Sequence, residues 1–508
     1  MSLISWSWIF LALYVGLMAY FGYLGSRRVV NADDFAVARN GYGPWILALA
    51  FASTAASGAT FLGVPGLAYS YGLSVIWLAF LYPVGIYLGV WICQRTIADE
   101  GHRLGARSIP EYLGNRYESE SLRISAAIFS LMLLIYLAGQ LVAGLVMFEM
   151  MLGLSELVAL AVTTVVLMCY VVLGGAHADI LTDGAQGFLM VLLAIAVVML
   201  FSTGSGIGDL DKLLDELVSQ DVGLVGWFNP EVPIVASPWS MFALVMAHIP
   251  LGLLPHIGNK LWALRDERSR NQFLLLAFIF GLILPGMALG GLTARALLDD
   301  ALLSTGANTA LPELFIFLFP TWLAAMLGVG ILAAVMSTAD GLVISTSQVV
   351  ANDIFRLSIA NRRYKHLSED ELDEKVLVIG RWVTGLVLLG SAAVAWVLID
   401  MNVVLLIWVG VGGFTAALAG PLVLGSIWQG VTAKGALVGF WTGAVAFVLI
   451  HAQIISSIWP PLESLQSAGE WFSFHARSPY SAATMAGLSG VALTVLVSYA
   501  GGANADAN

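Results

Sequence analysis

Charged residues are scarce in this sequence. Asp, Glu, Lys and Arg make up 11% of its 508 residues, whereas 59% are hydrophobic and the mean hydropathy is +0.88. Because soluble domains contain about a quarter charged residues, this composition excludes an ordinary soluble protein. The net charge of -11 also leaves no basic surface for nucleic acid once the Lys and Arg residues of the loops are assigned to membrane anchoring.

Cysteine and the common catalytic motifs are also rare or missing. Cys93 and Cys169 are the only cysteines, and both fall in or at hydrophobic runs, which excludes a disulfide framework or a cysteine metal site. The sequence contains no H-E-x-x-H pair, no G-x-x-x-x-G-K-[ST] loop and no G-x-S-x-G turn. We therefore expect neither an enzyme nor an organic cofactor, and any transport must draw on an ion gradient rather than on ATP.

Long hydrophobic runs are present along the whole chain. About twenty apolar residues in a helix cross the roughly 30 Å hydrocarbon core of a bilayer. We predict an all-α membrane protein with about thirteen transmembrane helices and no separate soluble domain. The predicted spans are 5–25, 45–71, 74–94, 122–150, 155–174, 180–204, 239–263, 272–296, 321–351, 375–399, 403–427, 435–456 and 481–500.

The basic residues of the predicted loops collect on one side of the membrane. Lys and Arg mark the cytoplasmic side of a membrane protein, whereas acidic residues have little influence. The clusters lie after the first, third, seventh and ninth spans and are Arg27, Arg28, Arg39, Arg95, Arg103, Arg107, Arg116, Arg123, Arg265, Arg268, Arg270, Arg356, Arg362, Arg363 and Lys365. With an odd number of spans, this pattern predicts an N-terminus outside and a C-terminus inside a bacterial inner membrane.

Two predicted spans carry helix-breaking residues near their centres. The span 45–71 contains Ser57-Gly58 and Pro65-Gly66, and the span 239–263 contains Pro250 and Pro255. At membrane depth, irregular backbone is tolerated only where it lines a cavity or meets a ligand. Broken helices at corresponding positions of two repeats indicate the binding site of a transporter. Simple kinks are the alternative, because Gly and Pro are common in membrane helices.

The positions of the two breaks fit an inverted repeat of five plus five spans. Because five is odd, the two repeats have opposite topologies. The predicted parts of this single transporter domain are a peripheral helix and loop at 1–44, a first repeat at 45–204, a second repeat at 239–427 and peripheral helices at 428–508.

A polar patch interrupts the apolar span 321–351. Ser337 and Thr338 are adjacent, and Asp340 lies about one helical turn after Ser337. A carboxylate at the centre of a bilayer costs about 3 kcal/mol even on the lenient insertion scale, so it marks a functional site. We expect a cation to be the partner of this patch.

Several short motifs occur in an order that one known family shares. They are Ser57-Gly58, 63–66, 108–117, 170–175, 182–186, Pro255-His256, 333–338 and 413–421. Together they resemble the sodium/solute symporters, which include proline, pantothenate, galactose and sialic acid transporters. The resemblance covers most of the chain and implies the leucine-transporter type fold, with two broken helices and alternating access.

The resemblance also implies a sodium site. In the family, backbone carbonyls of the first broken helix and a carbonyl and two hydroxyls of the eighth core helix hold the ion. On this chain the ligands become the carbonyls of Ser53, Ala56 and Ala334 and the hydroxyls of Ser337 and Thr338. Oxygen ligands suit a hard cation. The alternative is that the two hydroxyls bond their own helix or a neighbouring one.

Asp340 departs from the pattern of the family. Some relatives have a hydroxyl there, as part of a second sodium site completed by the Asp that corresponds to Asp183. We hypothesise that Asp183, Ser337 and Asp340 form a second cation site, or that the carboxylates share a proton. The alternative is that Asp340 faces the cytoplasmic vestibule while Asp183 orients its own span.

The substrate is expected at the midplane between the two breaks. The candidate contacts are Ser57, Thr60, Tyr136, Gln140, Ala247, His248 and Leu251. Ala247 and Leu251 replace aromatic residues of the proline branch, and Ala55 replaces its Asp, which disfavours proline. Hydrogen bonds from His248 and Gln140 would suit a carboxylate or carbonyl. The alternative for His248 is a packing role with a local partner.

The sequence therefore predicts a sodium-coupled symporter that imports a small organic solute, with pantothenate or a monocarboxylate ahead of amino acids and sugars. A proline or other amino-acid symporter, and a transporter-like sensor or channel, are the alternatives. Na⁺ is the expected coupling ion. The solute and the lipid bilayer are the expected partners, and we predict no nucleic acid and no obligate protein partner.

Overall fold

The structure is a computed structural model of an all-helical chain. It describes residues 1–30, 32–264, 266, 268–304, 306–360, 363–364, 366–459 and 463–503, without the side chains of 32, 169–174, 369–370, 463–464 and 502–503. The side chain of Cys169 and most of the side chains of the 170–175 motif therefore lie outside the described part. Arg265, Arg362 and Lys365 of the predicted basic clusters also lie outside it. Within the described residues, the only β-pairing is an isolated bridge between Tyr42 and Leu264.

The helices of the first half of the chain run from the N-terminus to a helix that follows the sixth predicted span. They are α1 (Leu3–Ser26), α2 (Ala32–Val37), α3 (Pro44–Ala55), α4 (Val64–Tyr71), α5 (Ile76–Arg95), α6 (Gly101–Leu104), α7 (Ile109–Arg116), α8 (Glu120–Ser130), α9 (Leu133–Leu152), α10 (Glu156–Ser202) and α11 (Leu210–Gln220). A π-helical turn at Ala59–Gly63 precedes α4.

The helices of the second half begin at the second predicted break. They are α12 (Pro238–His248), α13 (Pro255–Gly258), α14 (Ser269–Ile283), α15 (Met287–Leu298), α16 (Ala310–Leu318), α17 (Thr321–Gln348), α18 (Glu369–Val397), α19 (Val403–Leu418), α20 (Gly425–Ile427), α21 (Ala433–His451), α22 (Ile454–Ser457), α23 (Glu463–Ala476) and α24 (Pro479–Ala503).

Helix starts follow local sequence signals. Ser108 precedes α7, and its hydroxyl accepts a hydrogen bond from the backbone N–H of Glu111, which satisfies one free donor of the first turn. Ser368 and Glu371 form a reciprocal capping box at the start of α18. Pro44 begins α3, where a missing N–H costs nothing.

Ten helices in the described part of the chain are long and apolar enough to cross a membrane, or eleven if the bent pair around the second break is one span. Three shorter apolar helices, Pro44–Ala55, Glu156–Met168 and Ala307–Leu318, lie outside this set. Pro44–Ala55 belongs to the predicted span 45–71, which is not a single long helix, whereas Glu156–Met168 is the start of α10, which stays helical to the end of the predicted span 155–174. Thirteen spans and the orientation of the termini therefore stay predictions.

Both predicted breaks are present in the structure. Helix α3 ends at Ala55, and Ala56 has φ -91° and ψ 78°, which turns the backbone out of the helical ladder. The second break bends the chain by 57° between Pro238–Leu253 and Pro255–Ala263. The loop that precedes α3 is hydrogen-bonded to the segment that follows the second break, because the Asn40 N–H donates to Trp262 O at 3.1 Å.

The two breaks lie within a bundle of mutually packed helices. Helix α3 packs on α10 and α14, while α9 packs on α17 and α19. Helices α21 and α24 pair with each other at the side of α19. The first helix, α1, lies against both α10 and α17. A helix from the predicted peripheral segment therefore contacts the helices of the polar patch.

Gly175 divides α10 at the boundary between the fifth and sixth predicted spans. Its φ of 54° and ψ of -158° are accessible almost only to glycine. A Cβ at this position would lie 2.6 Å from Phe35 Cδ2 and 2.7 Å from Phe35 O. The bend in α10 therefore depends on the absence of a side chain here.

Replacing Gly175 with Ala should destabilise the protein by about 1 to 3 kcal/mol, because both the backbone conformation and the contact with Phe35 become strained. Thermal unfolding of the purified protein in detergent measures the effect. Gly16→Ala is the matched control, since no atom lies within 4 Å of the added Cβ in α1. Equal melting temperatures for the two variants would contradict this account of the bend.

Candidate functional site

The polar patch of α17 lies against the broken end of α3. The Ser337 hydroxyl donates to Ser53 Oγ at 3.1 Å, and the Thr338 hydroxyl donates to the backbone carbonyl of Thr54 at 3.0 Å. All four residues are buried. The structure therefore brings together the two stretches that the sequence analysis placed at one ion site.

The remaining predicted sodium ligands lie at the same junction. Ala56 occupies the break itself, and Ala334 precedes Thr338 by one turn on α17. Both alanines are buried. The site is thus a buried set of hydroxyl and carbonyl oxygens, which suits a small monovalent cation. The described residues contain no cluster of three or more His, Cys, Asp or Glu side chains that would instead hold a transition metal.

Asp183, which the sequence analysis placed with Ser337 and Asp340 at a second cation site, contacts the end of α3. Its Oδ2 lies 2.6 Å from Thr54 Oγ1, and its backbone carbonyl accepts a hydrogen bond from the Ser53 hydroxyl at 3.0 Å. The carboxylate is fully buried in α10. Asp183 therefore contacts Ser53 and Thr54, the two residues whose oxygen atoms accept hydrogen bonds from the hydroxyls of α17.

Lys260 pairs with Asp183, and the sequence analysis missed it. Its Nζ contacts Asp183 Oδ2 directly and lies 2.8 Å from Asp179 Oδ2. It also donates to Thr54 Oγ1 at 2.7 Å. A signal was available for Lys260, because a lysine inside the predicted span 239–263 is an intramembrane ionisable residue, which usually marks a functional site. Asp179 falls just before the predicted span 180–204 and gave no such signal.

Asp340 is 1% exposed, so in this conformation it does not face an open vestibule. The phenol of Tyr14, which comes from α1, lies within electrostatic range of both Asp340 and Asp183. Gln186 of α10 donates its amide N–H to the Tyr14 hydroxyl at 2.5 Å. The first helix therefore contributes a polar group beside the two carboxylates of the predicted second cation site.

Gln140 is held in one orientation by the first break. Its Oε1 accepts a hydrogen bond from the Gly58 N–H at 3.0 Å, so the amide nitrogen must point the other way. That nitrogen is buried and has no hydrogen-bond partner among the described residues. The Tyr136 phenol interacts with Ser57, and its ring lies edge-on to His256 at 5.2 Å between centroids. These candidate contacts therefore surround the break.

His248 lies in an aromatic cluster at the second break. Its Nδ1 is 2.6 Å from the carbonyl of Leu244, which can only accept, so Nδ1 carries a proton. The ring packs against Trp408, Tyr480 and Tyr82 with centroids 4.7, 5.4 and 5.7 Å away. A neutral His248 therefore offers an acceptor at Nε2, and donation to a solute falls to Gln140.

The other candidate substrate contacts lie beside this cluster. The Thr60 hydroxyl is 2.9 Å from the Tyr82 hydroxyl, which connects the first break to the aromatic cluster. Ala247 and Leu251 flank His248 and are buried. All seven candidate contacts are therefore buried, but Ala247 lines a cavity against α19 and α24 that contains no residue of the first break.

The family model described as the sodium:solute symporter family matches residues 35–443. The chain belongs to this family. As a member of the sodium:solute symporters with ten long apolar helices among its described residues, it is a multi-pass integral protein of the plasma membrane.

Relatives of this symporter with curated functions carry different solutes. The sodium/proline symporter of Escherichia coli (strain K12) is 28% identical over 456 residues, which cover 86% of each chain. The sodium/pantothenate symporter of Haemophilus influenzae is 25% identical over 439 residues, which cover 85% of this chain and 87% of that protein. The comparison therefore fixes the family but does not select a solute.

A solved structure shares the fold of this symporter. The substrate-bound, outward-open state of a Na⁺-coupled sialic acid symporter matches with a TM-score of 0.70 and 18% identity, covering 95% of this chain and 97% of that one. A nucleobase-cation-symport-1 family transporter matches with a TM-score of 0.54 and 12% identity. At these identities the likeness shows the fold alone.

Gly58→Ala should reduce solute uptake by about tenfold or more in this symporter. The added Cβ would lie 2.8 Å from Ala143 Cβ and 3.0 Å from Gln140 Oε1, so the break would move away from α9. Uptake into cells measures the loss, with size-exclusion chromatography as a check on folding. Gly43 lies just before α3, the helix that precedes the break, and no atom lies within 4 Å of a Cβ added there. The Gly43→Ala control should therefore transport normally. Similar uptake by both variants would contradict the packing described here.

Proposed function

We propose that this chain is a sodium-coupled secondary active symporter that imports a small carboxylate-bearing solute by alternating access. The observation that carries the proposal is the contact of the Ser337 and Thr338 hydroxyls with the broken end of α3. The family supplies sodium as the coupling ion. The geometry supports a site in which the sodium ion and the solute both contact the same broken helix.

The sodium ligands in this proposal are the carbonyls of Ser53, Ala56 and Ala334 and the hydroxyls of Ser337 and Thr338. These oxygen donors come from two helices that are far apart in sequence. Bound sodium would replace the two interhelical hydrogen bonds with stronger ion contacts to both helices. Binding would therefore tie α17 to α3, and a gate formed by relative movement of these helices would respond to the ion.

The solute in this proposal is held between the two breaks by Ser57, Thr60, Tyr136, Gln140, Ala247, His248 and Leu251. The unpartnered amide nitrogen of Gln140 supports a carboxylate, because it supplies buried N–H donors beside the first break. Proline and pantothenate, the solutes named for the relatives, are both carboxylic acids. We therefore place the shared carboxylate at Gln140.

An amino acid such as proline is the second candidate, and one observation favours it. The Nδ1 proton of His248 is engaged by Leu244, so the neutral ring presents Nε2 as an acceptor. An ammonium or secondary amine would donate to that nitrogen, whereas a second carboxylate oxygen would not. The solute group that faces His248 is therefore a hydrogen-bond donor, which an amino acid supplies with its amine and pantothenate with its hydroxyls or amide N–H. This observation separates an amino acid only from a monocarboxylate that has no donor.

The repeat organisation is part of the same proposal. The repeats 45–204 and 239–427 each contain one of the two observed breaks. The isolated bridge between Tyr42 and Leu264 joins the chain just before the first break to the chain just after the second. This pairing supports two breaks that lie side by side. The N-terminus outside, the C-terminus inside and about thirteen spans in all belong to the proposal on the strength of the basic loops and hydrophobic runs of the sequence.

Thr338→Ala should raise the sodium concentration that gives half-maximal uptake by about tenfold, because one oxygen ligand is lost; a tenfold change is about 1.4 kcal/mol. Initial rates at several sodium concentrations measure it. Ser347→Ala is the control on the same helix, since the Ser347 hydroxyl bonds Val343 O within α17. An unchanged sodium dependence in Thr338→Ala would remove this residue from the ion site.

Gln140→Leu should abolish the preference of the transporter for a carboxylic acid over the matching primary amide. Pantothenate, lactate and proline are first tested for sodium-dependent uptake in proteoliposomes, and the amide of the transported acid then competes with it. The wild type should favour the acid by about tenfold, or about 1.4 kcal/mol. Gln94→Leu, another buried glutamine, should keep that preference. Sodium-driven uptake of a sugar alone would contradict the carboxylate.

A further inference from the structure

The ammonium group of Lys260 is surrounded by oxygen atoms of the protein, as a bound metal cation would be. Its Nζ contacts oxygen atoms of Asp183, of Asp179 at 2.8 Å and of Thr54 at 2.7 Å. Three acceptors match the three N–H donors of an ammonium group. Lys260 is 4% exposed, and its two carboxylate partners are buried with it. A permanent monovalent cation therefore contacts Asp183, one of the two carboxylates that the sequence analysis assigned to a second cation site.

The Lys260 cluster shares residues with the sodium site. The Thr54 hydroxyl accepts from Lys260, while the Thr54 carbonyl accepts from the Thr338 hydroxyl. The Ser53 hydroxyl donates to the carbonyl of Asp183, and Ser53 Oγ accepts from Ser337. The two positions are therefore adjacent, and each is built on the same last turn of α3.

The charges of this cluster favour a single additional cation. When Asp179 and Asp183 are both ionised, the Lys260 ammonium balances one of them and leaves one negative charge in this pair, beside a sodium site whose own ligands are neutral oxygens. This count covers the Lys260 pair alone and does not include the buried carboxyl group of Asp340. A buried charge without compensation is strongly unfavourable. One sodium ion at the neighbouring site would neutralise the cluster. Without the ammonium, two negative charges would remain and two cations would be needed.

A small cavity lies beside the Lys260 side chain, on the side of Asp179 and not of Asp183 or Thr54. Asp179, His256, Asn259, Lys260 and Ser345 line one cavity, together with residues of α2. Asp179 Oδ1 and Asn259 Oδ1 are buried and have no hydrogen-bond partner among the described residues. Removing the lysine side chain would therefore expose at least four oxygen atoms, a set that a monovalent cation accepts.

We propose that Lys260 is a tethered cation that fills the second cation position at Asp183, so that this transporter couples one sodium ion, and not two, to each solute. The inference rests on the proposed sodium symport. It assigns Lys260, Asp179, Asp183 and Thr54 to one permanently occupied site. Sodium then binds only at the junction of α3 and α17.

The test measures the ratio of radioactive sodium to solute that enters proteoliposomes, together with the steepness of the sodium dependence. The wild type should give a ratio of about one and a Hill coefficient of about one. Lys260→Gln should give a steeper dependence, with a coefficient approaching two, because sodium enters the vacated position. Lys260→Arg keeps the charge and should stay at about one, as should Lys434→Gln, a lysine in α21 outside this cluster.

Several results would overturn the proposal. A wild-type ratio of two would show that the ammonium does not replace an ion, whatever the variants do. A Lys260→Gln variant with wild-type steepness would show that the vacated position stays empty. If Lys260→Gln does not transport, equilibrium binding of radioactive sodium to the purified variant decides, with two ions expected and one ion contradicting. Solute uptake by the wild type that ignores sodium would instead refute the symport on which the inference rests.

Discussion

The contact between two hydroxyls of α17 and the broken end of α3 is the interaction on which the rest of the site depends. Helix α3 ends at Ala55 inside the bundle, which leaves backbone carbonyls without helical partners. Thr338 reaches one of the carbonyls of the last turn, and Ser337 reaches the hydroxyl of Ser53. A cation that replaces these two hydrogen bonds gains ligands from both helices at once, which is the physical basis of coupling in this account.

The charge near this contact comes from a different part of the chain. Asp179 and Asp183 lie one turn apart on α10, and Lys260 follows the second break. Their ion pairs join α10 to the second repeat, while Thr54 joins the same group to α3. One connected structure therefore contains the two predicted breaks, the proposed ion site and the buried charges. The aromatic cluster around His248 lies beside the proposed solute site.

The family resemblance, and not a local signal, assigned Ser53 and Ser337 to one ion site, and it named the Ser53 carbonyl where Ser337 contacts the hydroxyl. The sequence alone was sufficient for the all-helical fold and both breaks, because apolar runs and helix breakers are local signals. It was not sufficient for the Lys260 cluster, since the partners lie in three separate segments and only tertiary packing brings them together. The sequence analysis also separated the spans 155–174 and 180–204, whereas the structure joins them as α10, because a glycine with a positive φ at position 175 bends the helix without a loop. The donor and acceptor roles of His248 required the position of the Leu244 carbonyl.

The account as a whole is tested most directly by solute uptake into proteoliposomes that contain the purified protein. A labelled carboxylate solute is supplied either with an inward sodium gradient or with an inward choline gradient of the same ionic strength. The account predicts accumulation above the external concentration with sodium and only slow equilibration with choline. Equal uptake in the two gradients would contradict a sodium ion held between α3 and α17.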